Sequence, residues 1–302
     1  MLSKLYGVLA ARRRNWYGRR PHLRRRLNRP VVSVGSLAVG GRGKTPVTAL
    51  IAEMLRDAGE RPAVLSRGYA RRRRVDGVVV VRDRDRVLAT LEVAGDEPLM
   101  LAERLSGVSV LVSEDRYAAG CLAESELDAT VHVLDDGFQH LTLDRDVDLL
   151  LVHPEDKREK TLPFGQLREV FETARVADAI VFDDVEGADI EELSRSLGVS
   201  PGFTMVRSTA SPRPLSNSGS VDLIGPDARV IAVAGIAAPE RFVQSLKQTS
   251  FNVVDALPFK DHHQFTTTDV ARITERIVAT SAEWVFTTEK DAVRLTPFEP
   301  LP

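Results

Sequence analysis

One stretch, residues 31–46, constrains the fold of this chain more than any other part of its sequence. A valine-rich run leads into a glycine-rich turn, and a helix-like stretch follows the turn directly. A strand, a glycine-rich turn and a helix in this order are typical of α/β proteins that hold phosphate at the helix N-terminus. The sequence therefore predicts a strand–turn–helix unit that binds phosphate.

The residue types in the turn fit this task. Gly40, Gly41 and Gly43 allow a tight turn whose N–H groups point inward at phosphate oxygens. Lys44 can reach the β- and γ-phosphates of a nucleotide, and Thr45 can ligate Mg²⁺. The residues predicted to bind the nucleotide here are Ala38, Val39, Gly40, Gly41, Arg42, Gly43, Lys44 and Thr45.

Ala38 departs from the pattern GxxxxGK[ST], which has glycine at this place. The apolar strand before the turn and the helical stretch after it favour a phosphate loop in spite of this departure. A glycine-rich turn that binds nothing is the alternative.

Short apolar runs alternate with helix-like stretches along most of the chain. Such runs predict strands buried on both faces, and the alternation predicts a mostly parallel sheet flanked by helices. The expected fold class is α/β of the P-loop NTPase type, with a second, smaller α/β domain. Strands are predicted at 31–34, 63–65, 108–112, 130–134, 147–152, 179–182, 230–234 and 284–287, and helices at 45–58, 97–105, 116–124, 190–197, 239–249 and 267–279.

The length of 302 residues predicts two domains, at about 150 residues for each. Residues 207–228 are rich in Ser, Pro and Gly, which predicts a linker. The expected order is a basic segment at 1–30, the P-loop domain at 31–206, the linker at 207–228 and the smaller domain at 229–302.

An acidic pair follows another predicted strand. Asp135 and Asp136 come directly after the apolar run 131–134. P-loop proteins commonly place an aspartate at the end of a second buried strand, near the metal ion. An Asp-Asp-Gly turn without function is the alternative. Together with the phosphate loop, the pair predicts a Mg²⁺ site and chemistry on a nucleoside triphosphate.

Residues 1–30 carry one Lys, nine Arg and no acidic residue. The whole chain has a net charge of −2, so the remaining 272 residues carry −12. A basic segment on an acidic body predicts an anionic partner, either membrane lipid or nucleic acid. Residues 2–17 can form an amphipathic helix that lies among lipid headgroups; a helix that packs on the domain is the alternative.

Other features narrow the class of protein. No run of about 18 apolar residues occurs, which argues against a membrane-spanning helix. The chain has one cysteine, Cys121, and so no internal disulfide, which fits a reducing cytosol. Nothing resembles a base-reading motif, so we expect no nucleic-acid partner, and no feature indicates an oligomer.

Several segments, taken in order, carry a family resemblance. They are Val34-Gly35-Ser36-Leu37, Gly43-Lys44-Thr45-Pro46, Leu65-Ser66-Arg67-Gly68-Tyr69, Gly95-Asp96-Glu97-Pro98, Asp135-Asp136-Gly137-Phe138-Gln139-His140, Leu162-Pro163-Phe164-Gly165-Gln166-Leu167-Arg168-Glu169, Asp261-His262-His263 and Thr287-Thr288-Glu289-Lys290-Asp291-Ala292. From about residue 5 to residue 295, the chain resembles the tetraacyldisaccharide 4'-kinase family. The segments DDGFQH and SRGY are the most specific of the set.

The resemblance implies a reaction and a location. The γ-phosphate of ATP would pass, with Mg²⁺, to the 4'-hydroxyl of a tetraacylated glucosamine disaccharide 1-phosphate, in lipid A biosynthesis. The enzyme would have two domains and would bind the anionic cytosolic face of the bacterial inner membrane through residues 1–26. Compared with the family, we expect a shorter N-terminal segment and an earlier C-terminal end. A P-loop kinase or synthetase of a soluble metabolite is the alternative, and a nucleic-acid-associated ATPase is a third.

The resemblance also assigns proton transfer. Asp96 resembles the catalytic base of the family, and His262 resembles a residue that supports it. A carboxylate within hydrogen-bond reach of an attacking alcohol can accept its proton. The alternative for Asp96 is a helix N-cap, because an apolar run follows Glu97 and Pro98.

Further residues are assigned to the same cleft. Gln139 and His140 follow the acidic pair and are predicted to bind the nucleotide, local packing being the alternative. Arg168 is predicted to stabilise charge on the transferred phosphoryl group, and Glu169 to bind Mg²⁺ directly or through water. A surface ion pair is the alternative for these two.

Arg67 and Tyr69 are predicted to bind the substrate, with Arg67 on its 1-phosphate or on ATP. The run 71–74 of four arginines fits a solvated face or a lipid-phosphate surface equally well. Lys290 and Asp291 match a family segment but receive no role.

Overall fold

The structure is a computed structural model that describes residues 1–69, 71–183, 187–206, 208, 210–215, 224–299 and 301. The described chain forms two compact units, Met1–Val206 and Arg207–Pro302. Within the predicted linker, residues 207, 209 and 216–223 lie outside the described residues.

The first unit is built on an eight-stranded sheet within the described residues. In spatial order its strands are β3 (Val79–Arg82), β4 (Ser109–Val112), β2 (Pro62–Ser66), β5 (Val131–Asp135), β1 (Val31–Ser36), β6 (Val147–Val152), β7 (Ala179–Asp183) and β8 (Gly202–Met205). All neighbouring strands pair in parallel except β3, which is antiparallel to β4. The predicted α/β class with a mostly parallel sheet is confirmed.

Helices follow most of the strands in the chain. They are α1 (Leu2–Gly18), α2 (Lys44–Asp57), α3 (Leu91–Ala94), α4 (Asp96–Arg104), α5 (Arg116–Glu126) and α6 (Gly187–Leu197). Because parallel strands need long crossovers, the helices cover the sheet and the strands are buried. In β2, β4 and β5, every residue is buried, which explains why these apolar runs were recognisable in the sequence.

The core of the first unit gathers around the central strands. One cluster packs Leu37 and Phe138 with Leu150 and Phe182, and another packs Leu65 with residues of β4 and β5. The register between β1 and β5 pairs Val34 with Asp135. The carboxyl ends of these two strands therefore lie side by side, where ligands bind in open α/β sheets.

The edge strands β3 and β8 were not predicted from the sequence. Both are short, and most of their residues are partly exposed. A half-exposed strand of four residues lacks the continuous apolar run that identifies a central strand.

The second unit holds a three-stranded parallel sheet in the order β10 (Asn252–Pro258), β9 (Arg229–Ala234) and β11 (Trp284–Thr287). Its helices are α7 (Pro239–Lys247), α8 (Thr267–Thr280) and α9 (Glu289–Leu295). The strands predicted at 230–234 and 284–287 correspond to β9 and β11, whereas β10 was missed because only one of its residues is buried.

Helix α1 belongs to the first unit and packs on it, as the alternative interpretation of this segment expected, while its contact with lipid stays a prediction. Its apolar residues Leu2, Leu5, Leu9 and Trp16 are exposed. Four arginines of the basic segment nevertheless pair with acids of the unit, namely Arg14, Arg24, Arg25 and Arg26. Part of the positive charge of residues 1–30 is therefore used in ion pairs that hold this segment on the first unit. Among the described residues, no helix combines the length and apolar character that crossing a bilayer requires.

Candidate active site

The phosphate loop joins β1 to α2 at the carboxyl edge of the sheet. Gly40 and Gly43 have φ angles of +89° and +78°, a region that side chains with a Cβ rarely adopt. The Lys44 ammonium donates to the Gly40 carbonyl at 3.1 Å and to the Ser36 hydroxyl at 3.3 Å. The lysine thus lies over the turn, as a phosphate-binding lysine must.

The first half of the loop is tied to the segment that carries Arg168. The Val39 N–H donates to the Gln166 carbonyl at 2.8 Å, and the Arg168 N–H donates to the Leu37 carbonyl at 2.7 Å. Ala38, the residue that departs from the glycine pattern, is fully buried in this contact. These bonds fix the loop in one conformation.

Arg42 is anchored differently from its neighbours in the loop. Its guanidinium pairs with Asp156, whose side chain is fully buried. The pairing holds the Arg42 side chain against the 3₁₀ turn Pro154–Arg158. Gly40 and Gly41, by contrast, are exposed, so their backbone N–H groups are accessible to a ligand.

Asp135 ends β5 beside the loop and is only 4% exposed. Its carboxylate accepts from the Thr48 hydroxyl at 3.2 Å and from the Ser66 hydroxyl at 3.4 Å. Burial, followed by the negative charges of Glu97 and Asp136, raises the pKa of Asp135 to about 7. The group is therefore poised to lose its proton when a cation arrives.

Asp136 and Arg168 form a two-bond ion pair next to Asp135. Asp136 directly follows the last residue of β5 and has a φ of +55°, in the left-handed region of the backbone. Its two oxygens accept from the Arg168 guanidinium at 2.9 and 3.0 Å, and the Lys44 ammonium lies 3.9 Å away. Arg168 also donates to the Gln139 amide oxygen at 3.0 Å. These four predicted site residues are thus brought together.

Burial lowers the pKa of the Lys44 ammonium, and the charge of Asp136 works against this shift. Gln139 is held by a bond from its amide nitrogen to the Ser36 carbonyl at 3.1 Å. Around the end of β1, the positive groups of Lys44 and Arg168 thus lie close to the carboxyl groups of Asp135 and Asp136. Such an arrangement can stabilise a triphosphate and its transferring group electrostatically.

The oxygen donors of this site fit Mg²⁺. Thr45, Asp135 and Asp136 offer a hydroxyl and two carboxylates, which are the ligand types that Mg²⁺ prefers. The described residues contain no group of three or more His, Cys, Asp or Glu side chains that could hold a metal by themselves. A Mg²⁺ ion held by Thr45, Asp135 and Asp136 would take its remaining ligands from phosphates and water.

Asp96 is the first residue of α4 and is 6% exposed. The N-cap of that helix is Gly95, so the alternative that made Asp96 the N-cap does not hold. Gly95 has a φ of +85°, and a Cβ there would come within 2.9 Å of the Tyr69 carbonyl oxygen. This close approach places the start of α4 against the predicted substrate-binding segment that contains Tyr69.

Two charged groups at this edge, Glu97 and Arg116, were not predicted as site residues from the sequence. Glu97 lies close enough to Asp135 to raise its pKa. Arg116, the first residue of α5, is 6% exposed, and its Nε has no hydrogen-bond partner within the described residues. Burial, and then the charge of Arg67, lowers the pKa of Arg116 to about 10. The signal that could have found Arg116 is its place in the sequence, at the start of the helix that follows the buried strand β4 after a three-residue connection.

Arg67 and Tyr69 are exposed at the end of β2. Between them, Gly68 has a φ of +66°, and a Cβ there would clash with Val112 at 2.3 Å. The segment therefore turns closely over β4, and the charge of Arg67 lies near enough to Arg116 to lower its pKa. Two cations at one sheet edge suit an anionic substrate group.

Two predicted residues have partners other than those expected. Both carboxylate oxygens of Glu169 are bound by Arg14 at 2.6 Å, so its assignment to Mg²⁺ stays a prediction without support from the geometry. The His140 Nε2 lies 3.2 Å from the Thr142 hydroxyl. Burial, and then the positive charge of Arg116, lowers the pKa of His140 to about 4, so this imidazole is neutral at physiological pH.

His262 lies in the second unit and has a φ of +56°. The Lys290 ammonium lies 3.2 Å from its Nε2 and 3.2 Å from an Asp261 carboxylate oxygen. Because an ammonium only donates, the imidazole Nε2 must accept in this contact. Asp291, which received no role, is fully buried and binds the Gly235 N–H at 2.9 Å.

Known proteins are similar to this chain in sequence and in fold. The family model of tetraacyldisaccharide-1-P 4'-kinase matches residues 1–302. The tetraacyldisaccharide 4'-kinase of Geobacter sulfurreducens is 38% identical over 299 residues, covering 97% of this chain and 82% of the relative. That of Pelobacter propionicus is 39% identical over 297 residues, covering 97% and 81%.

A solved structure gives the same result. The crystal structure of LpxK from Aquifex aeolicus in complex with ATP superposes with a TM-score of 0.80 at 32% identity, covering 99% of this chain and 89% of that one. With a family model that matches the whole chain and relatives that match 97% of it, the chain belongs to the tetraacyldisaccharide-1-P 4'-kinase family.

Proposed function

We propose that this chain transfers the γ-phosphate of ATP to the 4'-hydroxyl of a tetraacyldisaccharide 1-phosphate, a step of lipid A biosynthesis. The observation that carries the proposal is the phosphate loop with Lys44 folded over it, beside Asp135 and Asp136, in a chain of this family. The alternative, a kinase of a soluble metabolite, has no observation in its favour.

ATP would lie with its phosphates on the N–H groups of residues 38–45. Thr45, Asp135 and Asp136 would hold Mg²⁺. A bound Mg²⁺ supplies neutralisation of phosphate charge and orientation of the γ-phosphate. Lys44 and Arg168 then surround the transferred group with positive charge, and Gln139 keeps Arg168 in place through its 3.0 Å bond.

Asp96 is proposed as the group that accepts the proton of the attacking hydroxyl. It is buried at the start of α4, where the helix N-terminus favours the charged carboxylate. Its position beside the segment of Arg67 and Tyr69 supports this role, because those residues are proposed to bind the disaccharide phosphate. The supporting role of His262 stays a prediction.

The membrane contact is proposed to use the exposed face of α1. Leu2, Leu5 and Leu9 recur at spacings that place them on one helical face, and each is more than half exposed. Arginines of residues 1–26 that have no acidic partner would contact lipid phosphates at the cytosolic face of the inner membrane. Leu5→Glu with Leu9→Glu should abolish sedimentation with anionic vesicles; unchanged sedimentation would argue against this contact.

A direct assay tests the reaction. Purified chain, ATP and Mg²⁺ are incubated with tetraacyldisaccharide 1-phosphate in detergent, and mass spectrometry follows the bis-phosphorylated product. The Lys44→Ala variant is the control for the site. The deacylated disaccharide 1-phosphate is supplied in parallel. No product from the acylated acceptor would refute the proposal, and equal turnover of both acceptors would favour a soluble substrate.

A further inference from the structure

Helix α1 packs on the segment that carries Arg168. Gly7 is buried, and a Cβ at this position would meet the Val170 side chain at 3.0 Å and the Thr161 methyl at 3.5 Å. The Thr161 hydroxyl donates to the Ser3 carbonyl at 2.5 Å. The helix is therefore seated closely on residues 161–170 while its opposite face is exposed.

Arg14 makes the principal polar contact of this packing. Its Nε and Nη2 donate to the two Glu169 oxygens at 2.6 Å each, and Nη2 also donates to the Phe138 carbonyl at 3.0 Å. The guanidinium carbon lies 4.2 Å from the centroid of the Phe138 ring. The Arg14 and Glu169 side chains are 13% and 5% exposed, so water screens this pair little.

The two residues that Arg14 holds are chain neighbours of the catalytic groups. Glu169 follows Arg168 directly, and Phe138 precedes Gln139. Arg168 in turn binds Asp136 with two bonds and Gln139 with one. One guanidinium thus joins the backbone segments from which the proposed phosphoryl-binding and metal-binding groups project.

We propose that Arg14 is a positioning residue for phosphoryl transfer, which holds Phe138 and Glu169 so that Arg168 keeps its geometry toward Asp136. The inference rests on the proposed function of this site. It gives α1 a second task besides lipid contact: the helix completes the catalytic unit even when no membrane is present.

The geometry explains why the position requires arginine. A lysine keeps the charge but has no planar fork, so it cannot bind both Glu169 oxygens and stack on Phe138 together. Arg14→Lys should therefore fold and keep α1 seated, yet leave Arg168 less restrained. Glu169→Gln removes the other half of the ion pair and should act through the same route.

The test compares four variants in detergent, where vesicle binding plays no part. Three of them change the contact: Arg14→Lys, Glu169→Gln and the double variant that carries both changes. The fourth is Arg276→Gln, which is measured separately. This last change removes an exposed ion pair to Asp255 in the second unit and serves as the matched control. We expect kcat to fall about tenfold in each single variant, with KM for the acceptor within about twofold, as for a group that acts on the transition state.

The double variant should fall little further than either single one, because both changes break one contact. A second readout, which needs no acceptor, is NMR of the Arg168 guanidinium ¹⁵Nη nuclei. The Arg168 signals are assigned by their absence from the spectrum of Arg168→Lys. Slow guanidinium rotation in wild type should become fast in Arg14→Lys and stay slow in Arg276→Gln.

Unchanged kcat and unchanged Arg168 rotation, with only a lower melting temperature, would overturn the inference and leave Arg14 as a structural latch. Additive losses in the double variant would also overturn it. If wild type itself gives no 4'-phosphorylated product, the proposed function fails, whereas the Arg168 rotation still decides the positioning role.

Discussion

Replacing Asp135 by asparagine tests the electrostatics of the site most directly. The change keeps the shape of the side chain and removes its capacity for negative charge. The amide oxygen can still accept from Thr48, and the Ser66 hydroxyl can turn to accept from the amide N–H. The variant therefore isolates the effect of the buried charge.

The pKa of Asp135 sets the size of the effect. Burial raises it from 3.8 to about 7. At about 1.4 kcal/mol for each pKa unit, the ionised carboxylate costs the folded state about 4 kcal/mol above pH 8. The folded chain keeps the proton where the unfolded chain has released it. The stability that the protonated group contributes is thus complete below pH 3.8 and is lost as the pH rises through about 7.

Between pH 5 and pH 8, wild type should lose about 3 kcal/mol of unfolding free energy relative to Asp135→Asn. The measurement is urea unfolding at each pH, followed by pulsed hydrogen exchange on peptides that cover β1 and β5. These peptides report on the first unit alone. The same variant should lose MgATP-dependent turnover, because the amide is a poor substitute for a carboxylate ligand of Mg²⁺.

A parallel pH dependence of the two proteins would refute the reasoning. It would mean that Asp135 is ionised in the folded chain across the whole range. Mg²⁺ with a non-hydrolysable ATP analogue should stabilise wild type more than the variant at pH 8, and equal stabilisation would remove Asp135 from the proposed metal site.

Three further changes follow from the site. Lys44→Ala should abolish product formation, and turnover above a tenth of wild type, roughly, would contradict its contact with the transferred phosphate. Asp96→Ala should lower kcat while calorimetry shows ATP affinity near wild type; an unchanged kcat would remove Asp96 as the base. Arg168→Lys keeps the charge but loses the fork toward Asp136, so kcat should fall at least about tenfold; wild-type kcat would show that the two-bond geometry is unimportant.

The central strands and the phosphate loop could be predicted because their burial and backbone conformation require recognisable residue types in the local sequence. Strands such as β2 and β5 are buried throughout and therefore appear in the sequence as apolar runs. The glycine-rich turn indicates that a helix follows it. Strand β10 was missed because only one of its seven residues is buried. The sequence carries no continuous apolar run for a strand of that kind.

Long-range pairing limited the prediction of the site. Arg14 and Glu169 are 155 positions apart, and nothing in either neighbourhood marks them as partners. Nothing in the sequence therefore indicated that Glu169 contacts α1, and its assignment to Mg²⁺ stays a prediction. Asp96 shows the opposite case, since Gly95 with its positive φ takes the N-cap position and leaves the aspartate inside the helix.

Burial and the charges of the site together explain why the pKa of Asp135 is raised. Arg168 and Lys44 both lie near Asp136 and compensate its charge, whereas the hydrogen bonds seen to Asp135 within the described residues come from the Thr48 and Ser66 hydroxyl groups. Burial disfavours the ionised Asp135 carboxylate most, and the negative charges of Glu97 and Asp136 add like-charge repulsion, so its pKa is raised. An arriving divalent cation reverses that balance, because it stabilises the carboxylate that burial disfavours. Below about pH 7, where the Asp135 carboxyl is largely protonated, binding of the cation should therefore be accompanied by release of the Asp135 proton.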